Sequence, residues 1–144
     1  MGKTAKHVLR LIDEILGKGD REVCFPWAKG DPSPKTKRAR QLPFDGVWEA
    51  RKLIIEVDED QHALATPFFD KPNKLTVSGV HRGKQRALYD ARKRAAAKQA
   101  GYHLIAIDWP RKKKQRPIED AAELRKLLVD SGVLPHDVDA PLRQ

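Results

Sequence analysis

The stretch from Leu53 to His62 reads Leu-Ile-Ile-Glu-Val-Asp-Glu-Asp-Gln-His, and it determines the architecture of the chain. Its first half, through Val57, is a nearly continuous apolar run, which is typical of a central strand covered on both faces. A second β-prone run, from Leu42 to Trp48, precedes it, and the polar residues 49–51 join the two runs. The two runs therefore predict an antiparallel hairpin.

Helices and further strands flank this hairpin. Apolar residues between Thr4 and Leu16 repeat at steps of three and four, which predicts a helix with one apolar stripe. A short strand is predicted over residues 21–25, a long alanine-rich helix over 82–100, a buried strand over 104–107 and an amphipathic helix over 118–129. This order predicts an α/β fold class, in which helices flank a small mixed β-sheet.

Length and composition describe one basic domain. The chain has 144 residues, with 29 Lys and Arg against 20 Asp and Glu, for a net charge of +9. We expect a single domain over 1–144, with its core in 4–130 and a loose tail over 135–144. The absence of a long apolar stretch and of an apolar signal core predicts no membrane association and a cytoplasmic location. Cys24 is the single cysteine, and a buried strand position is its expected use.

Basic residues are concentrated in three segments, which favours nucleic acid as the partner. Residues 29–40 mix turn formers with Lys and Arg, which predicts an exposed basic loop. The long helix carries seven Lys or Arg against one acid, Asp90, a ratio that suits phosphate contacts better than internal ion pairs. Five of the six residues 111–116 are also basic. The candidate DNA-binding residues are Lys35, Lys37, Arg38, Arg40, Arg82, Lys84, Arg86, Lys93, Lys112 and Lys113.

Acidic residues interrupt both strands of the predicted hairpin. Residues two apart on a strand face the same side, so Glu56 and Asp58 project together, and strand pairing brings Asp45 beside them. Adjacent carboxylates repel unless a cation neutralises them, and hard oxygen ligands suit Mg²⁺, with Mn²⁺ as an alternative. Asp45, Glu56 and Asp58 are therefore the candidate metal ligands. His62 is a candidate to orient or deprotonate water, or to protonate a leaving oxygen, because histidine titrates near neutrality.

A solvated acidic turn over residues 58–60, with His62 as a capping or packing residue, is the alternative interpretation. Glu56 argues against it, because an unpaired carboxylate inside an apolar run is destabilising. The acidic patch also belongs to a strongly basic chain. A metal site surrounded by Lys and Arg is the charge layout of a nuclease, in which metal acts at the scissile phosphate while cations hold the neighbouring phosphates.

The same residues resemble the PD-(D/E)XK nuclease superfamily, through Pro43-Phe44-Asp45 on one strand and Glu56-Val57-Asp58 on the next. The usual third residue of that pattern is lysine, and this chain has Asp58 there. The chain is more closely similar to the branch of very short patch repair endonucleases and related phage and homing endonucleases. The similar blocks, between residues 20 and 109, are a Phe-Pro-Trp turn at 25–27, the Phe-Asp strand, the Ile-Glu-x-Asp strand end, a Pro-x-Phe-Phe-like loop at 67–69, a helix with Tyr89, Asp90 and Lys93, and a Gly-Tyr-x-Leu-Ile-x-Ile strand at 101–107.

The resemblance implies an Mg²⁺-dependent DNA endonuclease with a restriction-endonuclease-like core. Asp45 would ligate the metal, Glu56 and Asp58 would bind the metal or its waters, and His62 would be the acid/base or water-positioning group. Two departures stand out. The family usually has glycine where this chain has Glu59, and relatives often place a catalytic glutamate on the first helix, where this chain has Asp13 and Glu14 out of clear register.

Other functions are compatible with the same residues. A structure-selective nuclease acting on mismatches, junctions or flaps would use the same site. A non-catalytic DNA-binding module of the same fold is compatible with Asp58 in place of lysine. A basic protein-interaction domain is disfavoured by the acids within the strands. Both a monomer that nicks one strand and a homodimer that cuts two are compatible with the chain.

Overall fold

A mixed β-sheet with helices on both faces forms the body of the protein. The computed structural model describes residues 1–59, 82–110 and 114–135. This is the α/β fold class that the sequence predicts. The elements are α1 (Lys3–Leu16), β1 (Asp20–Val23), β2 (Lys29–Pro32), β3 (Ala39–Gln41), β4 (Phe44–Trp48), β5 (Leu53–Glu59), α2 (Arg82–Gln99), β6 (His103–Trp109) and α3 (Pro117–Asp130).

The main sheet has the strand order β1-β4-β5-β6. The predicted hairpin is confirmed: β4 and β5 are antiparallel, with Gly46 opposite Ile55 and Trp48 opposite Leu53. A 3-10 turn over Glu49–Arg51 joins them. Strand β6 lies parallel to β5, because α2 carries the chain back across the sheet between them. The carboxyl ends of β5 and β6 therefore lie at one edge of the sheet.

One face of the sheet is covered by α1 and α3. The apolar stripe of α1 packs with Leu53, Ile55 and Val57 of β5 and with the inner side of α3. A buried polar pair joins the two helices: His7 Nε2 and Asp120 Oδ2 lie 2.8 Å apart, and their side chains are only 2% and 3% exposed. This face is therefore closed to solvent even at its polar contact.

The other face is covered by α2 over part of its length. Ile54 packs with the buried Ala97 of α2 and with Phe44. Farther along the parallel strands, Ala106 and Asp108 of β6 are exposed. The carboxyl end of the parallel strand pair is therefore accessible on this face, and Glu56 and Asp58 belong to the same end.

Two local predictions are wrong. Residues 29–40 are not one loop, because β2 and β3 pair as a two-stranded antiparallel ribbon, with Lys29 opposite Gln41 and Pro32 opposite Ala39. Cys24 is exposed rather than buried, because β1 already ends at Val23. The Pro-x-Phe-Phe-like loop at 67–69 lies outside the described residues, as does the tail beyond residue 135. Among the helices described, none is long and apolar enough to cross a membrane.

Candidate active site

Two carboxylates from neighbouring strands meet where β4 begins and β5 approaches its end. The register that places Gly46 opposite Ile55 brings Asp45 beside Glu56. The Asp45 backbone amide donates to Glu56 Oε2 at 2.7 Å, and the Val57 amide donates to Asp45 Oδ2 at 2.9 Å. Each side chain thus accepts a hydrogen bond from the backbone of the other strand. These crossed bonds fix both carboxylates in position.

An ammonium group from α2 completes this arrangement. Lys93 Nζ lies 2.6 Å from Glu56 Oε1 and donates to the carbonyl oxygen of Pro43 at 2.7 Å. The same ammonium is 4.8 Å from the centre of the Phe44 ring. The side chains of Lys93 and Glu56 are 13% and 17% exposed, so the pair is largely removed from water without being closed off.

The sequence places Lys93 among the candidate phosphate-binding cations of the helix, and in the structure its ammonium pairs with Glu56. A signal for this position does exist in the sequence. Lys93 lies four residues before the buried Ala97 and four after Tyr89, and such spacing places residues on one side of a helix. Lysine between an alanine and a tyrosine on the inner side of α2 needs a partner there, and Glu56 is that partner.

The charge balance of the site favours another cation. Burial raises the pKa of Glu56 above its ordinary value; the Lys93 ammonium lowers it, and the neighbouring Asp45 carboxylate raises it again. Two carboxylates therefore share one ammonium in a partly desolvated position. A further positive charge at this point would relieve the repulsion between Asp45 and Glu56.

Asp58 lies on the same side of β5 as Glu56, as predicted. Both line a narrow cleft between the sheet and α2, together with Asp90, Lys93 and Arg94. In the parallel register Asp58 stands next to Asp108 of β6. The described residues contain no group of three His, Cys, Asp or Glu side chains that could hold a metal ion, so Asp58 does not join Asp45 and Glu56 in a three-ligand set.

The remaining pair still fits the ion that the resemblance implies. Mg²⁺ commonly binds proteins through one or two carboxylates and takes its other ligands from water and substrate phosphate. Asp45 and Glu56 provide those two carboxylates in a fixed geometry. Asp58 lies in the adjoining cleft, where it can accept hydrogen bonds from metal-bound water.

The acids of the first helix do not belong to this site. Asp13 accepts hydrogen bonds from the Gly19 amide at 2.9 Å and from Arg21 at 2.6 Å, which ties the end of α1 to β1. Glu14 is exposed. Helix α1 also packs on the face of the sheet opposite to α2. Three of the predicted functional residues, His62, Lys112 and Lys113, lie outside the described residues, and so do the side chains of Arg82 and Lys84.

The predicted DNA-binding cations of the ribbon are exposed next to α2. Lys35, Lys37 and Arg38 lie in the turn between β2 and β3, and Arg40 lies on β3. Arg86 is half-buried on α2. The ribbon is held against α2 by Arg92, whose guanidinium lies 2.9 Å from Asp31 Oδ1. The cations of the ribbon and of the helix thus border the same side of the molecule as the carboxylate pair.

Comparison of the chain with family models, with curated proteins and with solved structures gives no match. The site's own groups define its chemistry. The site combines two fixed carboxylates, which are the kind of ligand that divalent cations bind, with an ammonium next to them and exposed guanidinium and ammonium groups nearby, which are the kind of group that phosphates bind.

Proposed function

We propose that this chain is an Mg²⁺-dependent endodeoxyribonuclease that hydrolyses phosphodiester bonds with a metal-activated water. The observation that carries the proposal is the cluster of Asp45, Glu56 and Lys93 at an accessible strand end. The aspartate lies on one strand and the glutamate on the next, which is the placement that the resemblance implies. Lys93 of α2 supplies the ammonium that the pattern's third residue lacks in this chain.

Asp45 and Glu56 are the residues that would hold the ion. When bound, Mg²⁺ supplies a Lewis acid that polarises the phosphoryl oxygen and makes bound water more acidic. The crossed hydrogen bonds from the backbone of Asp45 and Val57 keep both carboxylates in place before substrate arrives. Such preorganisation reduces the reorganisation that the site undergoes during the reaction.

Lys93 stabilises negative charge at the reacting phosphate. An ammonium has three hydrogen-bond donors, and among the described residues two of them are engaged by Glu56 and the Pro43 carbonyl. The third can donate to a water or to a phosphate oxygen. Since the site is largely removed from water, a positive charge held there acts more strongly than it would in bulk solvent.

Three other groups complete the proposal. Asp58, in the same cleft, orients waters. His62 retains the acid/base role expected from its position after the acidic strand. The exposed cations Lys35, Lys37, Arg38 and Arg40 bind phosphates on either side of the bond that is cleaved.

One observation favours the non-catalytic alternative. The ion pair between Lys93 and Glu56 neutralises part of the acidic charge without a metal. A DNA-binding module that had lost catalysis would keep this pair for stability and the basic surface for phosphate contacts. The two functions differ in the effect of metal: a nuclease cleaves DNA when metal is present, whereas the binding module binds DNA and does not cleave it.

A plasmid assay separates them. Purified protein is incubated with supercoiled plasmid in Mg²⁺ or in EDTA, and nicking is followed on agarose gels. The nuclease proposal expects nicking in Mg²⁺ alone, and loss of nicking by about a thousandfold or more in Asp45→Asn with DNA binding retained.

Glu49→Gln is the matched control for this variant. It also removes one carboxylate charge from the same hairpin, but Glu49 pairs with Lys52 in the exposed turn, away from the site. It should nick at the wild-type rate. Wild-type nicking by Asp45→Asn, or binding without any metal-dependent cleavage by the wild-type protein, would contradict the proposed function.

A further inference from the structure

A second cavity, of about 540 Å³, lies between the β2–β3 ribbon and the amino-terminal half of α2. The ribbon and its turn contribute Arg38 and Arg40, α2 contributes Gln85 and Tyr89, and the segment before β4 contributes Leu42 and Pro43. Its volume falls within the range of about 300–1,000 Å³ that is typical of small-ligand pockets.

The cavity has fixed walls. The Asp31 amide donates to the Tyr89 hydroxyl at 3.0 Å, and Arg92 bonds both the Asp31 carboxylate at 2.9 Å and the Lys29 carbonyl at 3.2 Å. The Tyr89 ring also packs directly on Gly30, where a Cβ atom would lie 2.9 Å from it. Four contacts therefore hold the ribbon to the helix, and the space between the ribbon and the helix is part of the fold.

The lining of the cavity combines positive charge, hydrogen-bonding groups and flat apolar surface. Neither guanidinium, of Arg38 or of Arg40, forms a hydrogen bond or ion pair with another described residue. The carboxylate at the wall, Asp31, is neutralised by Arg92. Two uncompensated cations beside an amide, a phenol ring and apolar side chains suit a ligand with an anionic group and a planar polar ring, which is the chemistry of a nucleotide.

The cavity adjoins the proposed catalytic site. Pro43 lines it, and the carbonyl oxygen of Pro43 lies 2.7 Å from Lys93 Nζ, the same ammonium that pairs with Glu56 at 2.6 Å. Asp45 follows Pro43 by two residues. A nucleotide held between the ribbon and α2 would therefore lie next to the proposed site of phosphodiester hydrolysis.

We propose that this cavity binds one unpaired nucleotide beside the scissile phosphate, and that the preferred substrate is DNA with a single-stranded or extruded nucleotide. This inference rests on the proposed function. A base that is stacked and paired in a duplex cannot enter the cavity between the ribbon and α2 without leaving the stack, which carries a free-energy cost that is smallest for a nucleotide already unpaired. Arg38 and Arg40 hold the phosphate, while Tyr89 and Leu42 face the base.

Two binding probes test the cavity without relying on catalysis. Fluorescence anisotropy in EDTA measures the affinity for a labelled 12-nucleotide single strand and for the 12-base-pair duplex of the same sequence. Wild-type protein should bind the single strand more tightly. Arg38→Ala should weaken single-strand binding by about tenfold or more, the loss expected for one charge-assisted phosphate contact, with a smaller effect on the duplex.

Lys35→Ala is the matched control, since it removes one positive charge from the same turn at a residue that does not line the cavity. It should weaken binding of both probes by the same small factor.

Ala39→Leu is the complementary variant, because it fills part of the cavity without changing charge, and it should selectively weaken single-strand binding. Thermal unfolding of each variant verifies that it is folded. Equal effects of Arg38→Ala and Lys35→Ala on both probes, or wild-type affinity for the duplex as high as for the single strand, would overturn the inference.

A cleavage assay separates failure of this inference from failure of the proposed function. A fully paired duplex and a duplex with a three-nucleotide gap are compared in Mg²⁺. Asp45-dependent cleavage of both at the same rate would overturn the unpaired-nucleotide inference and leave the nuclease intact. Selective single-strand binding with no metal-dependent cleavage of either substrate would support nucleotide binding in the cavity and contradict the proposed nuclease activity. Faster cleavage of the gapped duplex supports both.

Discussion

The two faces of the sheet each carry a charged or polar side-chain pair between elements, but their exposure differs. On one face, His7 and Asp120 join α1 to α3 and are 2% and 3% exposed. On the other face, Glu56 and Lys93 join β5 to α2 and are 17% and 13% exposed, next to a second carboxylate. The first pair lies inside a continuous apolar core, and the second lies where the core ends.

The difference separates a pair that is closed to ligands from a pair that a ligand can reach. Removing one member of a buried pair that no ligand can reach destabilises the fold, and such a pair offers no site for chemistry. A partly exposed pair beside a like-charged neighbour is less favourable in the folded state, and such strain is typical of groups that bind a cation or act on substrate. The same kind of contact thus has two uses, according to the access that the surrounding elements permit.

The largest effect is expected from His7→Ala, which breaks the structural pair. Asp120, which is 3% exposed, would keep the Arg116 backbone amide as a donor at 3.1 Å but lose the His7 imidazole, and breaking a buried pair costs about 3–5 kcal/mol of unfolding free energy. Urea unfolding followed by tryptophan fluorescence measures the change. Cleavage per folded molecule should stay at the wild-type level, because α1 lies on the opposite face of the sheet from Asp45.

A double variant sharpens this result. His7→Ala combined with Asp120→Ala removes both members of the contact, so the total loss should be smaller than the sum of the two single losses. Additive losses would mean that the two side chains stabilise the helices independently. That result would contradict the interpretation of His7 and Asp120 as a structural pair.

Lys93→Met should give the opposite pattern. It keeps a side chain of similar length over Phe44 but removes the ammonium from Glu56, so the cleavage rate should fall by about a hundredfold, the size of effect seen when one electrostatic group is lost from an active site. The measurement is the single-turnover rate on plasmid in saturating Mg²⁺.

Lys98→Met, at an exposed position on the same helix, is the matched control and should change the rate by no more than about threefold, as expected for a surface charge. Equal rate losses in Lys93→Met and Lys98→Met would show that the helix acts through its overall charge alone.

The smallest effect concerns the pH dependence of stability in EDTA. Burial raises the pKa of Glu56, so its contribution to the free energy of unfolding is greatest below the ordinary pKa and is lost as pH rises through the raised pKa. Glu56→Gln does not titrate. The stability of the wild type relative to Glu56→Gln should therefore fall as pH rises from the ordinary glutamate pKa through the raised pKa of Glu56, by about 1.4 kcal/mol for each pH unit between the two pKa values. A difference that grows in favour of the wild type over this range would mean that the Lys93 ammonium outweighs burial.

The fold was largely predictable because its main elements carry local patterns. The three- and four-residue spacing in α1 and the apolar run of β5 each indicate their structure without tertiary information. The carboxylate pair followed from the hairpin, since strand pairing alone places Asp45 beside Glu56.

The ribbon depends on contacts that no local pattern encodes, and the spacing that places Lys93 on the inner side of α2 does not say which residue it meets there. Strands β2 and β3 contain glycine, proline and charged residues, and their attachment relies on Tyr89 and Arg92 from a distant helix. Lys93 is one of seven basic residues in its helix, and the packing of α2 on the sheet decides which of them meets Glu56. Cys24 differed from expectation because β1 ends at Val23, two residues before the end of the predicted strand, which leaves the next side chain in solvent.

The separation along the chain between bonded partners sets an order of assembly. The Asp45 amide and the Glu56 side chain are 11 residues apart, Lys93 and Glu56 are 37 apart, and His7 and Asp120 are 113 apart. The entropy of closing a loop grows with the logarithm of its length, so the last contact costs about 2 kcal/mol more to close than the first. We expect the hairpin to form first, with its two acids facing each other before any cation arrives. Docking of α2 then brings Lys93, so the step that completes the site also relieves the repulsion within it, and pulsed hydrogen exchange should detect protection of the β4 and β5 amides before those of α1.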